Sequence, residues 1–285
     1  MNITILGVPY SLDQHQVGMG AAPHALLAAG LRSRLAALGH ALQVEIVTIP
    51  ASDEPREARL GRLLAALGDA VARVRADARF PLILGGDCLV ALGVLGGLGD
   101  AAHTGIIWLD AHGDFNTAET TISGYLGGMP LAAAVGRGLD ALREACRLAP
   151  IAERNVVLVG ARDLDPLEER ALAGSSVVLV RNARAGDAPE LDRALQAVGS
   201  LAQLYLHVDV DILDPAEAPG VNYPAARGRS LAQLQAIVRQ AIGLGNVAAM
   251  SVTAVNPETD IDGRTVQAAL GVIETALRSK IEDRG

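Results

Sequence analysis

Short aliphatic runs recur along the chain, separated by longer polar segments of helical period. The runs are NITILGV (2–8), LQVEIVTI (42–49), FPLILGG (80–86), TGIIWLD (104–110), RNVVLVG (154–160), SVVLV (176–180), LYLHVDVD (204–211) and VAAMSVTAV (247–255). Nearly continuous aliphatic runs of this length predict strands buried on both faces of a parallel sheet. Between them, REARLGRLLAALGDAVARVRADA (56–78) and residues 188–202, 230–244 and 263–279 repeat Leu, Ala and Val at three- and four-residue steps. That is the spacing of a helix with one apolar face. Alternating strands and helices predict βαβ units in a doubly wound α/β sheet. No repeat, linker or low-complexity tract divides the chain, so one domain over 1–285 is expected.

In a doubly wound sheet, ligands bind beyond the carboxyl ends of the strands. The chemically distinctive residues lie there. DAHGDFN (110–116) follows the run that ends at Leu109, and Asp209 and Asp211 close the run 204–211. Asp110, His112 and Asp114 share parity, so an extended backbone would aim all three the same way. Carboxylates crowded like this repel one another unless a cation sits among them. Oxygen donors with an imidazole suit manganese or a similar divalent ion. More carboxylates than one ion needs implies two ions, about 3.5–4 Å apart, sharing bridging ligands. Either cluster alone is weak evidence, because helix N-caps use Asp freely. Cys88, just after a Gly-Gly-Asp turn, reads on its own as core packing, a nucleophile or a metal ligand.

Composition narrows the partners. Lys plus Arg number 24 against 32 Asp plus Glu, a net charge of −8, and no basic stripe offers a nucleic-acid groove. Aromatic residues make up only 2% of the chain, so the core must be aliphatic. Two cysteines are too few for a disulfide framework and fit a reducing compartment. No apolar run approaches the ~20 residues of a membrane span, and the N-terminus lacks a signal-peptide pattern. A cytoplasmic protein with no membrane partner is expected.

The segments GGDC (85–88), WLDAHGDFN (108–116), SGYLGGMPLA (123–132), LHVDVDILDPAEAPG (206–220) and AVNPETD (254–260) occur in the order of the ureohydrolase (arginase/agmatinase) signatures, which they resemble. The opening GVPYSLDQHQVGMGAAPHALLAAGL (7–31) resembles the glycine-rich N-terminal segment of that family. The resemblance implies a three-layer α/β/α fold around an eight-stranded, mainly parallel sheet. It also implies a centre of two Mn(II) ions that hydrolyses guanidino or amidino C–N bonds. Carried over by motif, Cys88, Asp110, Asp114 and Asp209 would hold one ion. Asp110, His112, Asp209 and Asp211 would hold the other, and Asp114 would also be catalytic, orienting the attacking water. Asn116 and Ser123 would bind a substrate α-carboxylate and Asp165 the α-amino group. That favours an amino-acid substrate over a decarboxylated one.

Three positions depart from the family pattern. Cys88 and Gly127 stand where the family has histidine, and Ala254 stands where it has glutamate. Losing a positioned general acid costs about 10²–10⁴-fold, and losing a buried partner for a cation about 2–5 kcal/mol. The departures resemble the branch of the family that converts Nω-hydroxy-L-arginine to L-ornithine and hydroxyurea in D-cycloserine biosynthesis. The hydroxyl lowers the basicity of the guanidine, so its head group needs less charge pairing. Tyr125 and Tyr223 replace smaller polar residues and would contact that oxygen or pack at the cavity rim. The alternatives are a conventional arginase or other amidino hydrolase, and a metal-binding relative without activity. Elsewhere, His207 would be a core histidine or would support a ligand from behind. His15 and His24 could reach the site mouth, His40 and His103 would lie at the surface, and Cys146 would pack in the core. With no extended tail after the last helix, a monomer is expected.

Overall fold

The computed structural model describes residues 1–181 and 188–282. Each of the eight apolar runs overlaps a strand: β1 Asn2–Val8, β2 Ala41–Ile46, β3 Phe80–Gly85, β4 Thr104–Leu109, β5 Val156–Val159, β6 Val178–Val180, β7 Gln203–Asp209 and β8 Val247–Thr253. They form one sheet in the order β2-β1-β3-β8-β7-β4-β5-β6. Every neighbouring pair is parallel.

Side-chain alternation along the strands divides the core into two apolar layers. Leu82, Leu84, Ile107, Leu109, Leu204 and Leu206 pack beneath the helices Ala188–Gly199, Leu231–Ile242 and Arg264–Glu282. Ile83, Ile106, Trp108 and Tyr205 face the other layer, with α1 Arg56–Ala76 and α2 Val90–Leu98. In α1 the buried residues Leu60, Leu63, Leu64, Leu67, Val71 and Val74 keep the three- and four-residue steps read from the sequence. Arg73 and Arg75 in its last turn complement the helix dipole. The result is helices on both faces of one parallel sheet, a three-layer α/β/α fold. Among the described residues, no helix is long and apolar enough to cross a membrane.

Burial on both faces holds for the central strands and fails at the edges. Strand β2, which overlaps the run 42–49, is largely exposed; it lies at the sheet edge with β1 as its one neighbour among the described residues. Its Glu45 instead meets Arg73 of α1 at 2.8 Å. The other edge strand, β6, is half-buried. His40 is also corrected: it is buried rather than at the surface, with Nδ1 3.5 Å from the N-terminal amine.

Candidate active site

Strands β3, β8, β7 and β4 are contiguous in the sheet, and their carboxyl ends converge on a cavity of about 440 Å³. Cys88, His112, Asp114, Asp209 and Asp211 line it. Asp110, 1% exposed, lies immediately beneath them. Asn116, Ser123 and Asp165 line the same cavity, as do Tyr125, Gly127, Glu168, Tyr223 and Ala254. His15 and His24 do not; both are exposed, and His15 lines a separate cavity.

The acidic residues converge through tight local hydrogen bonding, which replaces the extended backbone inferred from parity. Strand β4 ends at Leu109, and Asp110 Oδ1 accepts from the His112 backbone N–H at 2.7 Å. Asp114 adopts φ +47°, a left-handed turn that any shared-parity argument misses. Its carbonyl accepts from the Leu131 and Ala132 amides, which anchors the turn to the helix Pro130–Ala134. On β7, Asp209 Oδ1 accepts from Asp211 N at 2.8 Å, and Asp211 Oδ1 accepts from Ala111 N at 3.2 Å. That last bond ties the two acidic loops together. His112 Nδ1 lies 3.0 Å from Asp211 Oδ2 and 3.4 Å from Asp110 Oδ1. Cys88 Sγ donates to Asp209 Oδ2 at 3.1 Å. Trp108 Nε1 donates to Asp110 Oδ2 at 3.0 Å, so a buried indole orients that carboxylate.

Four of the buried carboxylates around this cavity, Asp110, Asp114, Asp209 and Asp211, crowd together, and their protonation reflects it. Burial, with the neighbouring Asp110, pushes Asp114 well above the usual carboxylate range. Burial raises Asp209 and Asp211 as well, again with help from nearby carboxylates. Asp110 goes the other way: burial opposes its charge, but the hydrogen-bonded His112 stabilises it more. Burial works against His112 too, yet Asp110 and Asp211 hold it up to about 12. Burial and then Asp209 push the Cys88 thiol up. Such a cluster favours its charged form only when a cation is present. Asp114 Oδ2 is buried and has no hydrogen-bond partner among the described residues. An orphaned carboxylate oxygen beside oxygen, imidazole and sulfur donors fits divalent metal ligation. Ligand atoms of Asp110, His112 and Asp211 lie within 4.8 Å of one another.

The residues matched to an amino-acid backbone sit together at the far side. Asn116 Nδ2 donates to Asp165 Oδ2 at 3.1 Å, and Ser123 Oγ accepts from Tyr125 N at 3.1 Å. Asp165 caps the helix Pro166–Ala173 in a capping box with Glu168. Glu168, absent from the sequence-derived site, lines the cavity and accepts from Phe115 N at 2.8 Å, bracing the Asp114 turn. The pattern Asp-Pro-x-Glu at 165–168 was its available signal. A Cβ added to Gly127 would lie 2.5 Å from Tyr125 Cζ and 2.7 Å from its hydroxyl oxygen. The Tyr125 ring therefore fills the space a side chain at 127 would need. The Tyr125 hydroxyl is buried and has no hydrogen-bond partner among the described residues. Its ring lies 5.2 Å from that of Tyr223, which is half exposed at the rim. Ala254, at φ +66°, lines the cavity without a charged side chain, although the buried Asp87 lines it too.

A model of the Arginase family matches residues 1–278. The arginase of Bacillus subtilis is 33% identical over 294 residues, covering 98% of both chains. The arginase of Bacillus caldovelox is 33% identical, covering 98% of this chain and 99% of its own. A crystal structure of the B. subtilis arginase superposes with a TM-score of 0.88 at 30% identity, over 97% of this chain and 98% of the other.

Proposed function

The chain belongs to the Arginase family, metal-dependent hydrolases of guanidino and amidino C–N bonds, and on that premise we propose that it converts Nω-hydroxy-L-arginine to L-ornithine and hydroxyurea. The observation that carries the proposal is the Tyr125 ring in the space over Gly127, with its hydroxyl buried and unpartnered. A buried hydroxyl without a partner is costly, and a substrate N-hydroxyl would relieve it.

Cys88, Asp110, Asp114 and Asp209 would hold one Mn(II), and Asp110, His112, Asp209 and Asp211 would hold the second. Bound there, the ions would activate water and polarise the guanidino carbon. Asp114, through its otherwise unpartnered Oδ2, orients the attacking water. Asn116 and Ser123 receive the α-carboxylate and Asp165 the α-ammonium, which sets the distance to the head group. Ala254 supplies no charge to pair a guanidinium, which suits a hydroxyguanidine of lowered basicity. Water adds to the guanidino carbon, the bond to the ornithine nitrogen breaks, and that amine leaves with a proton from the substrate or solvent. In this reading hydroxyurea carries an N–O unit into antibiotic assembly of the D-cycloserine kind.

The test is a substrate panel on manganese-loaded protein, scoring hydroxyurea from Nω-hydroxy-L-arginine against urea from L-arginine. A higher kcat/KM for the hydroxylated substrate is expected; faster turnover of arginine overturns the proposal. Full-length identity of 33% to the B. subtilis arginase favours the second reading, conventional arginine hydrolysis. The same panel separates the two, and stoichiometric metal without turnover of either compound would mark a non-catalytic relative.

A further inference from the structure

Behind Cys88, strands β7 and β8 present a column of polar side chains inside an otherwise aliphatic layer. His207 pairs in register with Ser251, and Asp209 with Thr253. His207 is fully buried. Its Nδ1 lies 2.8 Å from Ser251 Oγ and 3.0 Å from the Tyr205 hydroxyl. Its ring stacks on Trp108 with centroids 3.8 Å apart, the same indole that holds Asp110. The orientation is therefore fixed from three sides.

The other nitrogen is poorly served. Among the described residues, Nε2 makes one stretched contact, 3.4 Å to Thr253 Oγ1, and that oxygen also lies 3.5 Å from Cys88 Sγ. A ring nitrogen of His207, the Cys88 sulfur and an Asp110 carboxylate oxygen all lie within 4.8 Å of one another, each residue buried. A histidine placed only for packing would bond both nitrogens well. Here one is anchored and the other is aimed at a metal-ligand cluster.

We propose that His207 Nε2 is a ligand of the ion on the Cys88 side, supplying in space the imidazole that the chain lacks at position 88. The inference rests on the two-ion reading given above. Imidazole is a better partner for manganese than sulfur. It also adds a donor without adding negative charge to a site that already holds four carboxylates. Hydroxyls on Nδ1 are the outer partners that orient a metal-ligating histidine.

The experiment is X-ray absorption at the manganese edge of the fully loaded chain, counting directly bound imidazoles, with metal titration of His207→Phe alongside. Two imidazoles per two ions, from His112 and His207, are expected. In His207→Phe, which keeps a ring over Trp108, the count should fall to one and one of the two ions should bind at least about 100-fold more weakly. Two ions with a single imidazole in the wild-type protein overturn this inference and leave the two-ion reading intact. No manganese uptake at all overturns both. Because the wild-type count decides by itself, the outcome does not depend on the variant folding.

Discussion

Restoring histidine at position 127 tests whether the site departs from the family by simple loss or by exchange. A simple loss predicts that Gly127→His regains a proton donor, worth about 10²–10⁴-fold for a positioned general acid. The structure predicts otherwise. A Cβ at 127 would stand 2.5 Å from Tyr125 Cζ and 2.7 Å from its oxygen, closer than real carbon contacts. The ring would have to swing out of a wall it shares with Tyr223, 5.2 Å away. Overpacking of this kind costs about 1–3 kcal/mol. In a domain of this size, each kcal/mol lowers Tm by about 2–4 °C. Gly127→His should therefore lower Tm by several degrees, reduce turnover of the hydroxylated substrate by displacing Tyr125, and fail to create an arginase. Tyr125→Asn removes the obstacle, so in the double variant the histidine should fit with little further loss of stability. A thermal-unfolding cycle over the four proteins measures this coupling, expected at about 1–2 kcal/mol for side chains in contact. Additive single-variant effects, or a Gly127→His protein as stable as its parent, would refute the exchange.

Trp108→Phe removes the N–H donor to Asp110, so calorimetric titration should show manganese affinity reduced about 10–100-fold, and because the indole is fully buried the smaller ring should also lower Tm. Glu168→Ala deletes one half of the capping box and the acceptor for Phe115 N; unfolding should become easier by about 1–3 kcal/mol, and a neutral effect would remove Glu168 as the brace of the Asp114 turn. Metal-free protein should respond to pH in the opposite sense to ordinary salt-bridged carboxylates. The folded pKa values of Asp114, Asp209 and Asp211 are raised, so their contribution is full below about 3.9 and is lost as pH climbs through the raised values. Tm of the chelated protein, referenced to Asp209→Asn, should fall between pH 4 and 8, whereas the stabilisation added by manganese should grow over that range because its ligands must be deprotonated. A chelated wild type that gains stability relative to Asp209→Asn as pH rises would sink that account.

The eight strands and their carboxyl-end chemistry were legible because burial on both faces leaves an unbroken aliphatic run, and because loops that carry ligands must follow such runs. The edges were less so: LQVEIVTI looks as apolar as a central strand, and only the sheet order shows that one side of β2 has no neighbour. The acidic loop was legible in its residues and misread in its geometry, since nothing in the letters of DAHGDFN announces φ +47° at Asp114. Cys88, Gly127 and Ala254 are a different matter. Taken singly along the chain, Gly127 and Ala254 are deletions of function and Cys88 an exchange of imidazole for sulfur, because a position can only be compared with itself. Packing imposes no such limit. The volume vacated at Gly127 is filled by Tyr125 from the same loop, and the nitrogen absent at Cys88 has a counterpart in His207 on another strand. Close packing makes such substitutions interdependent, since a group lost from a filled wall leaves either a cavity or a replacement. Position 254 itself carries no carboxylate, so it offers a guanidinium no charge of its own. For that reason reversal at position 127 alone, even with Tyr125 trimmed, should still leave arginine poorly served, and the specificity should reside in the missing carboxylate at position 254 as much as in the tyrosine.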